Sequence, residues 1–169
     1  MGSEPERIYC IDTSALVWLQ RNIDKTGPFG DVWEALAELI RSGRVFAPDV
    51  VLAEIARGTD DLEAWCRQFT KAFRTPTDEV ASTVGQLAGR HKGLVNTLKT
   101  DEEADPWVVA WTLVENERLQ GELFGGECIA VSSEGTRTNH IADVCAKERV
   151  RCMTLQAMLG LEGLKFART

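Results

Sequence analysis

Apolar residues recur along this chain in two rhythms. Short apolar runs at Arg7–Ile11, Val45–Ala47, Cys128–Val131 and Val150–Met153 predict β-strands. Between them the spacing lengthens to three and four, as at Ala15, Leu16 and Leu19, or at Val32, Trp33, Leu36, Leu39 and Ile40. That spacing predicts helices over 14–21, 32–40, 60–73, 77–91, 106–120, 141–148 and 155–159, with a further one opened by Pro48 and ended by Gly58. Strands that are apolar throughout need cover on both faces, and strands alternating with helices imply a parallel sheet. The expected fold class is therefore α/β, with helices above and below a central sheet.

Size and composition narrow the picture. The chain has 169 residues, 44% hydrophobic and 27% charged, which fits one globular domain over residues 1–169, with 163–169 expected as a loosely held tail. No apolar run is long enough to span a bilayer, and residues 1–10 lack a signal-peptide core, so a cytoplasmic protein is expected. The five cysteines contain no C-x-x-C pair, which points away from a disulfide framework or a structural zinc site. Cys10 and Cys128 read as small buried hydrophobes, and His91 and His140 have no context to support a Cys–His catalytic pair. Nineteen Lys and Arg against 26 Asp and Glu give a net charge of −7, which disfavours unaided binding to a polyanion. A metal ion would offset that balance near any phosphate chemistry.

The carboxylates carry the functional signal. In a parallel sheet, ligands bind at the carboxyl ends of the strands, where the next helices begin. Asp12 follows the first strand directly, Ser132-Ser133-Glu134 follows the run Cys128–Val131, and Asp105 stands just before Pro106, where a helix is expected to start. Glu54 lies four residues after Val50 and three after Val51, so it continues an apolar stripe. An inward carboxylate is costly unless it is paired or binds a metal. Four acids at one sheet edge suit a hard divalent ion such as Mg²⁺ or Mn²⁺. Each acid also has a plainer reading: Asp12 and Asp105 as helix caps, Glu54 as the partner of Arg57, and Glu134 as a solvated charge, as are Glu102 and Glu103.

The segments around these acids resemble a known family. Ile11-Asp12-Thr13-Ser14-Ala15-Leu16, Val51-Leu52-Ala53-Glu54-Ile55, Ala104-Asp105-Pro106-Trp107 and Val131-Ser132-Ser133-Glu134 are similar, in order and spacing, to the four motifs of PIN-domain nucleases, the fold of VapC-like toxins. Within that group the chain most resembles the PIN-like branch DUF4411, in which a segment like Ile141-Ala142-Asp143-Val144-Cys145 follows the fourth motif. Ser132 and Glu134 depart from the usual Thr and Asp of that motif, and the longer Glu134 reaches a metal less directly. The resemblance implies a three-layer α/β/α fold with a mostly parallel twisted sheet. It also implies a metal-dependent endoribonuclease in which Asp12, Glu54, Asp105 and Glu134 hold Mg²⁺ or Mn²⁺. Ser14 and Ser132 would then support the ligands.

By the same resemblance the substrate is RNA, and the protein acts as the toxin of a toxin–antitoxin pair, with a small antitoxin or a second copy as partner. Arg90, Lys92 and Lys99, with Arg21 and Lys25, are candidate phosphate contacts, and equally a solvated helix end. The rival class is a PIN-like binding module without useful nuclease activity, anchored by Trp18, Trp33, Trp65, Trp107 and Trp111. Phosphatases of the haloacid-dehalogenase type need an Asp two residues beyond Asp12, where Ser14 stands.

Overall fold

The computed structural model describes residues 5–58, 60–92, 104–123, 125–134 and 140–164. In chain order the elements are β1 (Glu6–Ile11), α1 (Thr13–Asn22), α2 (Asp31–Arg41), β2 (Val45–Pro48), α3 (Asp49–Ala56), α4 (Asp60–Cys66), a 3-10 turn (Arg67–Ala72), β3 (Phe73–Arg74), α5 (Asp78–Arg90), α6 (Ala104–Gln120), β4 (Gly126–Val131), α7 (Ile141–Lys147), β5 (Cys152–Met153) and α8 (Leu155–Leu161). Because the strand interiors are apolar on both sides, each face must be buried. The two faces have separate cores. Tyr9, Ile11, Val45, Ala47, Ile129 and Val131 pack against α1 to α4 and α8. Cys10, Phe46, Cys128 and Ala130 turn the other way, as alternate residues of a strand must, and pack against α5, α6 and α7. The architecture is the expected α/β/α sandwich.

The sheet has five strands in the order β3-β2-β1-β4-β5, and every pairing is parallel. The chain steps outward from β1 in one direction through β2 and β3, then returns to the other side of β1 for β4. That reversal places a crevice beyond the carboxyl ends of β1 and β4, the usual ligand site of open parallel sheets. Ile11 lies opposite Val131, and the Asp12 N–H donates to Val131 O at 2.8 Å, so the residues leaving the two strands emerge side by side.

Several sequence expectations are corrected. The helix expected over 60–73 is a short helix, a 3-10 turn and the edge strand β3, which pairs Phe73 and Arg74 with Ala47 and Pro48. Phe69 leaves helical geometry (φ −125°, ψ 41°) and packs its ring 4.9 Å from that of Trp65, while Thr75 before Pro76 disfavours helix beyond. Pro48 both ends β2 and, as the N-cap of α3, opens the helix as expected. The helix expected over 106–120, α6, starts at Ala104, so Asp105 lies in its first turn and is not an N-cap preceding Pro106. The last strand is shorter than expected, Cys152–Met153. The tail is docked at its start: Gly163 takes a left-handed φ of 91°, which lets Leu164 N–H reach Leu159 O at 2.9 Å and its side chain pack on the core. Residues 165–169 lie outside the described residues.

Trp33, Trp65 and Trp111 are buried, and Trp18 and Trp107 pack on the cores while partly exposed. Trp33 meets Trp65 edge-on at 5.0 Å, and Trp111 meets Phe46 at 5.6 Å, so these side chains build the interior and are not free surface anchors. All five cysteines are free thiols, and burial pushes Cys66 and Cys128 up to about 12. Cys10, Cys66, Cys128 and Cys145 are the buried small hydrophobes expected of them, while Cys152 is half-buried. At the amino edge of the sheet, Glu162 receives Arg44 through both guanidinium arms at 2.7 Å, Tyr9 Oη at 2.5 Å and Arg7 Nε at 3.4 Å. This cluster ties α8 back to β1 and β2, at the pole opposite the crevice.

Candidate functional site

At the crevice, Asp12 caps the N-terminus of α1, its Oδ2 accepting Ser14 N–H at 3.2 Å and Ser14 Oγ at 2.7 Å. Capping is therefore compatible with a ligand role, because it uses only one oxygen. Asp12 is 2% exposed, and its Oδ1 is buried without a hydrogen-bond partner among the described residues. Burial pushes the carboxyl up from 3.8 to about 6; the Ser14 hydroxyl opposes this, and the charges of Glu134 and Glu54 add to it. A buried carboxylate with a bare oxygen and acidic neighbours is in an unfavourable state that a cation would relieve.

Ser14 is the junction. Its Oγ donates to Asp12, lies 3.2 Å from Ser132 Oγ and accepts Ser133 N–H at 3.0 Å, while Ser132 Oγ accepts Glu134 N–H at 3.2 Å. One hydroxyl therefore aligns the ends of β1 and β4. If these acids bind a divalent ion, Ser14→Ala should lower its affinity about tenfold, read by titration calorimetry.

Glu54 faces inward from α3, as its place on the apolar stripe predicted. Thr13 Oγ1 donates to its Oε2, and Ala104 N–H donates to its Oε1 at 2.8 Å. Each partner is the immediate neighbour of another acid, Asp12 on one side and Asp105 on the other. Glu54 thereby joins the N-termini of α1 and α6, where backbone N–H groups favour negative charge.

The fourth acid has a companion that the sequence did not reveal. Asp105, Glu134 and His140 each offer one ligand atom, and all three atoms lie within 4.8 Å of one another. His140 Nδ1 is 3.0 Å from Glu134 Oε2. His140 stands at the N-cap of α7, six residues beyond Glu134, and only that separation hinted at proximity. Asp12 and Glu54 lie outside this tight group and are linked to it through Ser14, Thr13 and the Ala104 amide.

Residues 9–166 match the family described as a domain of unknown function, DUF4411. The chain belongs to this family. No curated protein matches it significantly. In this DUF4411 chain the match runs from the middle of β1 through α8, and so covers all four acids. No helix among the described residues is long and apolar enough to cross a membrane.

The basic candidates are less concentrated. Arg90 Nε and His91 Nε2 both contact Glu148 Oε1, at 2.9 and 2.7 Å, which ties the end of α5 to α7. Lys92 is exposed beside them, and Lys99, Glu102 and Glu103 lie outside the described residues. Lys25 sits 4.6 Å over the Trp33 ring. A cavity of about 390 Å³ among Ile40, Phe46, Phe69, Lys71 and Arg74 borders none of the four acids.

Proposed function

We propose that this protein is a metal-dependent endoribonuclease of the PIN type. One observation carries the reading: Asp105 and Glu134 share one tight group near the β1/β4 reversal, hydrogen bonds tie Asp12 and Glu54 to that group, and the most buried acid, Asp12, keeps an unpartnered oxygen. Asp12 and Asp105 would hold the ion, with Glu54 and Glu134 completing the acidic set. The bound Mg²⁺ or Mn²⁺ would supply a hydroxide at neutral pH and offset charge on the departing oxygen of a phosphodiester. The protein's part is to fix those oxygens. Ser14 orients Asp12, while Thr13 and the Ala104 amide orient Glu54. Ser132 sets the turn that presents Glu134. A local divalent charge also accounts for phosphate chemistry on a chain of net charge −7. A toxin role, with a small antitoxin as partner, extends this reading.

The test is cleavage of a mixed RNA panel with Mg²⁺ or Mn²⁺, with EDTA, and with Asp105→Asn. Cleavage is expected with metal only, and Asp105→Asn should lower it by more than about a hundredfold. Equal cleavage in EDTA, or undiminished cleavage by the variant, would refute the proposal.

A further inference from the structure

The geometry points to His140 as a nitrogen ligand of the metal, so that the site takes a transition ion such as Mn²⁺ in preference to Mg²⁺. This inference rests on the reading of the acids as a metal site, and it specifies which class of ion that site selects.

Adjacent corners of an octahedron with bonds of about 2.1 Å are about 3.0 Å apart. His140 Nδ1 and Glu134 Oε2 stand at that separation, 3.0 Å, and an Asp105 oxygen completes a group spanning no more than 4.8 Å. A second observation, independent of this group, also calls for a cation: Asp12 is 2% exposed and its Oδ1 has no partner among the described residues. The Ser14 hydroxyl ties its other oxygen to the turn that carries Glu134.

The backbone of His140 is anchored. It precedes α7, whose Ile141, Val144 and Cys145 are fully buried, and its carbonyl accepts Val144 N–H at 3.0 Å. Its side chain and that of Glu134 are 38% and 33% exposed, leaving both able to close on an ion. Coordination through Nδ1 places the imidazole proton on Nε2.

The choice of metal follows from ligand chemistry. Mg²⁺ is a hard ion that favours oxygen ligands and retained waters, whereas imidazole favours first-row transition ions. An all-carboxylate site would treat Mg²⁺ and Mn²⁺ more alike than one with a nitrogen donor. The competing account is a plain ion pair between protonated His140 and Glu134.

The experiment titrates the full chain with Mn²⁺ and with Mg²⁺ by calorimetry, for wild type, His140→Gln, His140→Asn and Asp12→Asn. Electron spin-echo spectroscopy of the Mn²⁺-loaded wild type is recorded alongside. The spectrum should show modulation from a directly bound ¹⁴N. Both His140 variants should lose at least about tenfold in Mn²⁺ affinity while Mg²⁺ affinity changes less than about threefold. Absence of ¹⁴N modulation overturns the inference even if the variants fold poorly. So does an equal loss for both metals, or no loss. Asp12→Asn separates the two levels: if it abolishes binding of both ions while His140→Gln does not discriminate, the acidic site stands and the nitrogen ligand falls. If Asp12→Asn binds metal as wild type does, the acidic-site reading itself fails.

Discussion

Asp12→Asn should lower metal-dependent RNA cleavage by more than about a hundredfold while making the metal-free protein more stable at neutral pH. The two effects have one cause. Folding buries Asp12 beside Glu134 and Glu54 and raises its carboxyl from 3.8 to about 6. Between those values the folded chain holds a proton that the unfolded chain has lost. Stability therefore falls as pH rises through about 4 to 6, and remains lower above it. The full difference corresponds to about 3 kcal/mol as an upper bound. Asn keeps an oxygen for the Ser14 hydroxyl and removes the charge. In EDTA, urea unfolding should show the variant more stable at pH 7.5 and the gap nearly closed at pH 4. A less stable variant at pH 7.5 would mean that Asp12 is not the strained carboxylate described, and the case for a cation at the crevice would weaken with it.

The opposite pole should behave in the opposite way. Glu162→Ala should cost about 3 kcal/mol and lower the melting temperature by about 10 °C, with RNA cleavage at 20 °C unchanged. Burial works against the Glu162 carboxylate, but Arg44, Tyr9 and Arg7 outweigh it and hold its pKa below the ordinary 4.5. Removing it leaves Arg44, 25% exposed in its side chain, and the buried Tyr9 without their shared acceptor. Since the folded value is depressed, the stabilisation is present above pH 4.5 and fades as pH falls below it. Chemical denaturation from pH 3 to 7 reads this directly. A variant as stable as wild type across that range would show the cluster to be ornamental. On the proposed function, the two variants should separate charge placed for stability from charge placed for chemistry: Glu162→Ala losing stability and keeping activity, Asp12→Asn the reverse.

The candidate site is partly legible in the amino-acid sequence. Asp12 and Glu134 were marked by their position just after apolar runs, and Glu54 by its place on an apolar helical stripe. Those signals are local, and they pointed to the same sheet edge. His140 carried no local signal, because its significance comes from where α7 begins relative to the end of β4. Ser14 was expected beside Asp12, but its bond to Ser133 depends on β1 and β4 lying adjacent. Thr13 and the Ala104 amide were likewise invisible as partners of Glu54, being 41 and 50 residues distant from it.

By itself the amino-acid sequence determined the α/β class, the main strands and helices, and the acids delivered to strand and helix ends, since these follow from periodicity within a few residues. Tertiary structure decided the rest. It turned Phe73–Arg74 into an edge strand because Ala47 and Pro48 offered a partner, and it set the order β3-β2-β1-β4-β5. It also seated His140 against Glu134 and left Asp12 with a bare oxygen. Such features depend on which distant surfaces pack together, and no short-range pattern encodes that.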